Sequence, residues 1–221
     1  NESQEERDSI KIVERNGIKF ALLNYTYGLN GHRVPKDKSY LVNLIDTALI
    51  IKDLKKAEEI ADFTIVFPHW GVEYVYKPNK HQKNLARIMT ENGADLIIGT
   101  HPHVLQPIEW IEADNGNKSL CYYSLGNYTS GQKVTPRVLG GMAKIKITEV
   151  NDSVFIENAE IVPTITHYEW INGTSLHQTY KLSDYTEELE KRHSLNYYDS
   201  TFSFKAIQKL AYDIVGEWIK E

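Results

Sequence analysis

The stretch Asp95-Leu-Ile-Ile-Gly-Thr-His-Pro-His-Val-Leu-Gln-Pro-Ile-Glu-Trp110 decides the fold of this chain. Its first four residues, Asp95 to Ile98, predict a short strand that is apolar after the first position. His101 and His103 follow, separated only by Pro102, whose ring fixes one φ angle. Neutral imidazole is the commonest side-chain metal ligand, so a pair at the end of a buried strand indicates a metal site. The alternative is that both histidines are solvated loop residues.

A second predicted strand carries a histidine at the same kind of position. Phe63 to Phe67 is an apolar, β-rich run that ends in a turn containing His69. Between the two strands, residues 79–91 have a helical pattern. Strand, helix and strand in this order predict an open α/β sheet, in which ligands bind outside the carboxyl ends of the strands. We therefore expect His69, His101 and His103 to converge at one edge of the sheet.

The remaining pattern predicts two hairpins and several helices. Asn16-Gly17 and Asn151-Asp152 each separate two runs that alternate between apolar and polar residues, which is a hairpin signal. Asp46 is placed to cap a helix that reaches residue 61. Pro163 is expected to end the second hairpin, and residues 166–221 are expected to form a helical C-terminal extension packed on the same domain. The predicted fold class is α/β: a mixed-sheet sandwich with an antiparallel hairpin and terminal helices.

Composition places the chain among globular proteins. Its 221 residues are 41% hydrophobic, which is ample for a buried core, and the net charge of −5 is spread along the chain. The sequence has no basic patch of the kind that nucleic acid requires, so we expect no nucleic-acid partner. The single cysteine, Cys121, cannot form an internal disulfide and lies in an apolar run that is typical of a core strand. No apolar run approaches the roughly 18 residues of a membrane-spanning helix.

Other polar and aromatic residues near these loops have more than one interpretation. Glu73 is a catalytic acid or base, a partner that orients an imidazole, or a surface carboxylate. Tyr25, Asn30 and Trp70 are substrate-binding candidates because they lie near the same strand ends, although core packing is the alternative for the aromatic side chains. Asn127 either donates to a substrate phosphate or carboxylate, or only shapes the turn in which it lies.

Four blocks of the sequence together resemble a known family. They are Tyr25–Asn30, His69–Tyr74, Gly93–Gln106 and Tyr123–Tyr128, in that order. They look like successive blocks of the bacterial poly-γ-glutamate capsule biosynthesis (CapA-like) family. The resemblance implies that residues 1–165 are the C-terminal part of a domain similar to the calcineurin-like metallophosphatases.

The resemblance also implies a set of metal ligands. In metallophosphatases of that kind, a lone histidine and a later Gly-His-x-His pair bind metal. His69 matches the lone histidine, and His101 and His103 match the pair, with Thr100 as one extra residue before it. The implied cofactor is a divalent metal (Mn, Zn or Fe) held by these three histidines, with His69, Glu73 and His101 acting in catalysis. A two-metal centre clamps the attacking and leaving oxygens of its substrate.

The family blocks that precede Tyr25 and carry the remaining ligands have no counterpart in this sequence. We therefore expect the chain to be the C-terminal part of a longer protein, whose N-terminal half is a partner and carries a membrane anchor. Because the remaining ligands belong to that half, metal can be absent from the C-terminal part on its own. The predicted strands Ile18–Asn24, Phe63–Phe67 and Asp95–Ile98 are apolar on both faces. We expect one sheet face to be left bare, and to be covered by that half or by formation of a homo-oligomer.

By resemblance, the chain acts at the extracellular face of the bacterial cell membrane, where an anionic polymer such as poly-γ-glutamate is made, processed or retained. Membrane proteins of capsule synthesis are the implied partners. The first reading is metal-dependent hydrolysis or transfer on that polymer. The second is a non-catalytic membrane-assembly component of polymer export, and the third is a metallophosphoesterase with an unrelated substrate. The sequence leaves open whether the chain is an enzyme.

Overall fold

Residues 1–220 are described by the computed structural model, and within them it shows two β-sheets and five α-helices. The helices are α1 (Gln4–Asp8), α2 (Thr47–Ile60), α3 (Lys80–Glu91), α4 (Glu187–Arg192) and α5 (Phe204–Val215). The strands are β1 (Lys11–Arg15), β2 (Ile18–Thr26), β3 (Phe63–His69), β4 (Leu96–Ile98), β5 (Ile108–Glu112), β6 (Lys118–Tyr122), β7 (Leu139–Val150), β8 (Ser153–Ile171) and β9 (Thr174–Lys181). The predicted α/β class, with a mixed sheet, an antiparallel hairpin and terminal helices, is confirmed. Within this range no helix has both the length and the apolar character needed to cross a bilayer.

The first sheet has six strands in the order β1-β2-β3-β4-β6-β5. The four central strands run parallel, and β1 and β5 pair antiparallel at the two edges. Asn16 and Gly17 connect β1 to β2 with φ values of 54° and 86°, the left-handed pair that a two-residue hairpin requires. Because β2, β3 and β4 are parallel, their carboxyl ends lie at one edge of the sheet. An isolated bridge between His69 and Thr100 extends the pairing of β3 with the chain after β4.

Alternate residues of the parallel strands face two different cores. On one side, Ile97 and Cys121 pack with the apolar stripes of α2 and α3. On the other side, Leu96 and Leu120 pack with residues of β7, β8 and α5. Both faces of the first sheet are therefore covered by residues of this chain. The expectation of a bare sheet face is wrong, because the second sheet and the C-terminal helix lie over it. The expected self-association stays a prediction.

The second sheet consists of β7, β8 and β9 in antiparallel order. The predicted hairpin at Asn151-Asp152 is confirmed as the turn between β7 and β8. The expected helical extension over residues 166–221 is wrong for residues 166–181, because β8 continues to Ile171 and β9 follows it. Residues 182–218 then contain α4, α5 and short 3-10 turns. The division of the chain at residue 165 stays a prediction.

Pro163 lies inside β8 although a proline was expected to end the strand. Opposite Pro163, Gly141 donates its N–H to the Leu125 carbonyl at 2.9 Å, so these two residues exchange no hydrogen bond across the β7–β8 ladder. The nitrogen of Pro163 therefore faces the other side, where pairing with β9 begins only at Thr164. A proline in this position removes no ladder hydrogen bond.

The segment between β3 and α3 is fixed where α3 begins. The Asn79 side chain accepts from the Gln82 N–H at 2.9 Å, and the Gln82 side chain accepts from the Asn79 N–H at 3.0 Å. This capping box satisfies two backbone donors at the start of α3. The loop over residues 70–79 is therefore held by β3 at one end and by α3 at the other.

Candidate functional site

Two loops lie side by side at the carboxyl edge of the parallel strands. Trp70 donates its N–H to the Thr100 carbonyl at 3.1 Å, which joins the loop after β3 to the loop after β4. As a result, the rings of His69 and His101 have centroids 4.7 Å apart. The His103 ring centroid lies 6.1 Å from that of His101. The three histidines therefore meet at one edge of the sheet, as the strand pattern predicts.

The backbone of these loops is unusual for residues that have a side chain. His101, His103 and Tyr74 have φ values of 98°, 57° and 65°. Left-handed backbone costs about 1–3 kcal/mol at a non-glycine residue and persists only where the surroundings impose it. Here the N–H of Tyr74 donates to the Pro102 carbonyl at 2.7 Å, so the two loops hold each other. Such outliers are concentrated at functional sites.

Glu73, His101 and His103 form the group that can hold a metal ion. One ligand atom from each of these side chains lies within 4.8 Å of the others. His69 is not in this group, although its ring lies beside that of His101. The structure thus brings Glu73 into the predicted set, and we call Glu73, His101 and His103 the metal-ligand trio. The roles of all four side chains stay predictions.

Polar neighbours orient two of the imidazoles. Nδ1 of His103 lies 2.8 Å from Oδ1 of Asn127, and Nδ1 of His69 lies 3.1 Å from Oγ1 of Thr100. Metal-binding histidines usually have such a partner on the ring nitrogen that does not bind the ion. For His103 the partner leaves Nε2 free to coordinate. The predicted substrate-binding candidate Asn127 therefore orients an imidazole in this structure.

The electrostatics favour the neutral form of two of the imidazoles, those of His69 and His101. Burial lowers the pKa of His101, and the nearby His69 lowers it further, while Glu73 acts in the opposite direction. Burial also lowers the pKa of His69, with a smaller effect from His103. A metal binds the neutral form of imidazole, so these shifts favour coordination.

The chemistry of the trio fits a divalent ion. Two histidines and one glutamate are a known protein ligand set of open zinc sites, which leave a position for water or substrate. Imidazole also suits iron, and carboxylate suits manganese. The residues present therefore fit the metal that the sequence resemblance implies.

Three of the predicted substrate-binding residues lie apart from this group. Trp70 is fully buried, and its Nε1–H donates to the Tyr123 carbonyl at 2.9 Å. Tyr25 is 2% exposed, and its hydroxyl donates to Asp53 at 2.8 Å. Asn30 lies in an exposed turn with a φ of 50°, and no hydrogen bond within residues 1–220 joins it to the histidines. Trp70 and Tyr25 lie in the core in this structure, and a substrate-binding role for them stays a prediction.

Two residues near the site, Tyr27 and Arg137, did not emerge from the sequence, whereas Tyr74 ends one of the four sequence blocks. The ring of Tyr27 lies 4.4 Å from that of His101 between centroids. Tyr74 stacks on His103 with centroids 6.1 Å apart, and the guanidinium carbon of Arg137 lies 3.5 Å from the centroid of the Tyr74 ring. Tyr27 belongs to the block Tyr25–Asn30, in which the sequence indicates Tyr25 and Asn30 as candidates but not Tyr27. The only sequence signal for Arg137 is a cation in a loop rich in Gly and Pro.

Known proteins are similar to the N-terminal part of this chain, which contains the site. The family model described as "Bacterial capsule synthesis protein PGA_cap" matches residues 1–132. The "PGA biosynthesis protein CapA" of Bacillus subtilis is 36% identical over 126 residues, which are 57% of this chain and 32% of that protein. The "Capsule biosynthesis protein CapA" of Bacillus anthracis is 33% identical over 121 residues, which are 53% of this chain and 28% of that protein. The matched part is thus about a third of the length of each relative.

Solved structures with a similar chain path are distant in sequence. An NAD nucleotidase of Haemophilus influenzae covers 92% of this chain and 40% of its own, with a TM-score of 0.47 and 13% identity. A putative 5'-nucleotidase of Staphylococcus aureus covers 70% of this chain and 29% of its own, with a TM-score of 0.45 and 13% identity. Identities this low carry no information about the substrate of this chain.

Proposed function

This chain belongs to the bacterial capsule synthesis protein family PGA_cap, and from that membership we propose that it acts in capsule biosynthesis through a divalent-metal site. The proposed reaction is hydrolysis or transfer on an anionic polymer, with poly-γ-glutamate as the first candidate. One observation carries the proposal: ligand atoms of Glu73, His101 and His103 lie within 4.8 Å of one another. The two capsule proteins of Bacillus support the pathway, and the trio supports the chemistry.

Each side chain has a defined part in this proposal. Asn127 holds Nδ1 of His103, which leaves Nε2 for the ion, and His101 presents a neutral imidazole beside it. Glu73 is exposed and supplies the carboxylate. A divalent ion in such a set supplies a water nucleophile near neutral pH. His69 stands outside the trio with a lowered pKa, so its neutral ring can take a proton from a reacting group.

We further propose that the protein works at the bacterial cell envelope with membrane components of capsule synthesis, on the outer side of the membrane. The two Bacillus relatives are capsule-synthesis proteins by name, and an exported polymer has to be handled where it leaves the cell. Fractionation of cells that make the full protein tests this placement. Recovery of the protein only in the cytosolic fraction would contradict it.

Metal titration is the direct test of the site. The chain is stripped with chelator and titrated with Zn²⁺ and Mn²⁺ by calorimetry, as the native sequence and as His101→Ala, His103→Ala, Glu73→Gln and His81→Ala. His81 is an exposed histidine on α3 outside the trio, so its variant controls for adventitious binding. We expect the three trio variants to lose at least about tenfold in affinity, since each removes a ligand, and His81→Ala to match the native chain. Equal affinity in all five proteins would refute the site.

A further inference from the structure

An arginine lies one ring away from the metal-ligand trio. The guanidinium carbon of Arg137 is 3.5 Å from the centroid of the Tyr74 ring, and that ring stacks on His103 with centroids 6.1 Å apart. The Tyr74 ring therefore contacts both a trio residue and a positive charge. Tyr74 directly follows Glu73 in the chain, so the ring beside Arg137 and the carboxylate of the trio belong to one loop.

The arginine is held in place by its own loop. Arg137 lies in a 3-10 turn, Thr135–Val138, and its carbonyl accepts from the Asn127 amide at 2.9 Å. The same Asn127 side chain orients His103, so the arginine backbone and the ligand are joined through one residue. The side chain is half-buried, and Nη1 donates to Gln132 at 3.2 Å. A guanidinium held in this way gives up little freedom when it binds an anion.

The charge of this arginine is not matched by a carboxylate of the chain. Within residues 1–220, Arg7, Arg87 and Arg192 each form an ion pair, but no carboxylate oxygen lies within 4.0 Å of the Arg137 guanidinium. The guanidinium contacts one neutral amide, that of Gln132, and one aromatic ring, that of Tyr74. Several of its five N–H donors are therefore left to bind a ligand, and their planar fork matches a carboxylate or phosphate.

We propose that Arg137 and Tyr74 form an anion subsite that binds a carboxylate or phosphate group of the substrate next to the bond that reacts at the trio. This assignment of the anion to a substrate rests on the proposed function. In a polymer with a carboxylate on every unit, one unit would lie at Arg137 while its neighbour reaches the trio. The subsite would then fix the position of the polymer relative to the ligands.

The test measures anion binding in metal-free protein, so it does not depend on the proposed reaction. Chelator-treated protein is titrated with inorganic phosphate and, separately, with a short γ-linked glutamate oligomer, and NMR shifts of the loop amides are followed. The native chain is compared with Arg137→Gln and Lys133→Gln. Lys133 belongs to the same loop, and its Nζ lies 4.0 Å from the ring centroid of Tyr198, so both changes remove one charge that lies over a tyrosine.

We expect Arg137→Gln to weaken binding about tenfold or more, as the loss of a charged hydrogen bond predicts, and Lys133→Gln to change it less than about threefold, as expected for an exposed charge. If Arg137→Gln weakens binding of phosphate alone, the subsite takes a phosphate group. If it weakens binding of the oligomer alone, the subsite takes a carboxylate. If it weakens binding of both probes, the subsite takes either anion. Equal effects of the two variants, or no binding to the native chain, would overturn the subsite.

Two further measurements separate the possible failures. The thermal unfolding midpoints of Arg137→Gln and Arg137→Lys show whether the loop still folds. The lysine variant keeps the charge but lacks the planar fork, so we expect its anion affinity to lie between those of the native chain and Arg137→Gln. Zn²⁺ titration of Arg137→Gln should give the affinity of the native chain. Failure of metal binding in the native chain would refute the proposed function, while the anion titration would still decide the subsite.

Discussion

Nδ1 of His103 lies 2.8 Å from Oδ1 of Asn127, and the amide nitrogen of Asn127 donates to two backbone carbonyls, those of His103 at 3.2 Å and Arg137 at 2.9 Å. The two carbonyls fix which end of the amide is nitrogen, because a carbonyl only accepts. The remaining amide oxygen also only accepts, so Nδ1 of His103 carries its proton. The lone pair of His103 is therefore on Nε2, the nitrogen available to a metal.

Replacing this amide should weaken metal binding. In Asn127→Leu the His103 ring loses both the partner that orients it and the one that selects its tautomer, so we expect affinity for Zn²⁺ to fall about tenfold or more. Calorimetric titration measures it, with Asn115→Leu, in an exposed hairpin turn, as the matched control. If both variants bind like the native chain, Asn127 only shapes its turn.

A buried glutamine should control the position of Glu73. Gln106 is fully buried, donates to the Val75 carbonyl at 2.7 Å and accepts from Gln82 at 2.8 Å. Gln106→Leu leaves both partners unpaired, which we expect to cost about 1–3 kcal/mol in the free energy of unfolding. It should also lower Zn²⁺ affinity, because the loop that carries Glu73 loses its anchor. Urea unfolding and calorimetry measure the two effects, and unchanged affinity would show that the loop is held by other contacts.

Trp70 should contribute to stability alone. Its indole N–H is buried and donates to the Tyr123 carbonyl at 2.9 Å, so Trp70→Phe leaves that carbonyl without its partner. We expect a loss of about 1–3 kcal/mol in the free energy of unfolding, with Zn²⁺ and phosphate affinities close to those of the native chain. This variant is also the matched control for Gln106→Leu, since both disturb buried hydrogen bonds near the loop. A loss of phosphate affinity in Trp70→Phe would instead support a role for Trp70 in substrate binding.

The position of the site followed from the sequence because it depends on local rules. Short apolar strands joined by a helix are parallel neighbours in an α/β sheet, so the carboxyl ends of the strands that lead to His69 and His101 meet. The alternation of side chains along a strand accounts for Trp70: it follows His69 by one residue, so the two side chains face opposite sides, and the one next to the histidine is in the core.

What the sequence did not reveal depends on contacts between distant segments. Arg137 reaches Tyr74 only because the loop before β7 docks beside the first sheet, and no local pattern reports that docking. Glu73 was a candidate with several roles, and its place beside His101 and His103 depends on a loop that contains the left-handed backbone of Tyr74, a conformation that is rare for tyrosine. Pro163 was expected to end its strand, since the sequence does not show that its nitrogen faces an unpaired side.

A buried histidine in the C-terminal half should make stability depend on pH. His193 is 1% exposed, its Nε2 donates to the Thr166 carbonyl at 3.1 Å, and its Nδ1 accepts from the Leu195 N–H at 3.2 Å. Both nitrogens are satisfied only in the neutral ring. Burial, together with His167, whose ring centroid is 4.8 Å away, lowers the pKa of His193 to about 4. Burial acts in the opposite sense on Asp95, whose pKa it raises to about 6.

The sign of the His193 effect follows from these shifts. Its pKa is lower in the folded chain than the 6.5 of an unperturbed histidine, so its contribution to stability is complete above that pH and is lost as the pH falls toward 4. From pH 7 to pH 5 this loss of stability amounts to about 2 kcal/mol, and Asp95 offsets part of it because its raised pKa favours folding at lower pH.

A glutamine variant tests this effect, because a glutamine side chain can donate and accept as the neutral ring does but does not titrate. Urea unfolding at both pH values should therefore show a smaller loss of stability for His193→Gln than for the native chain, with exposed His81→Gln as control. Equal losses in all three proteins would show that His193 is not the group that titrates.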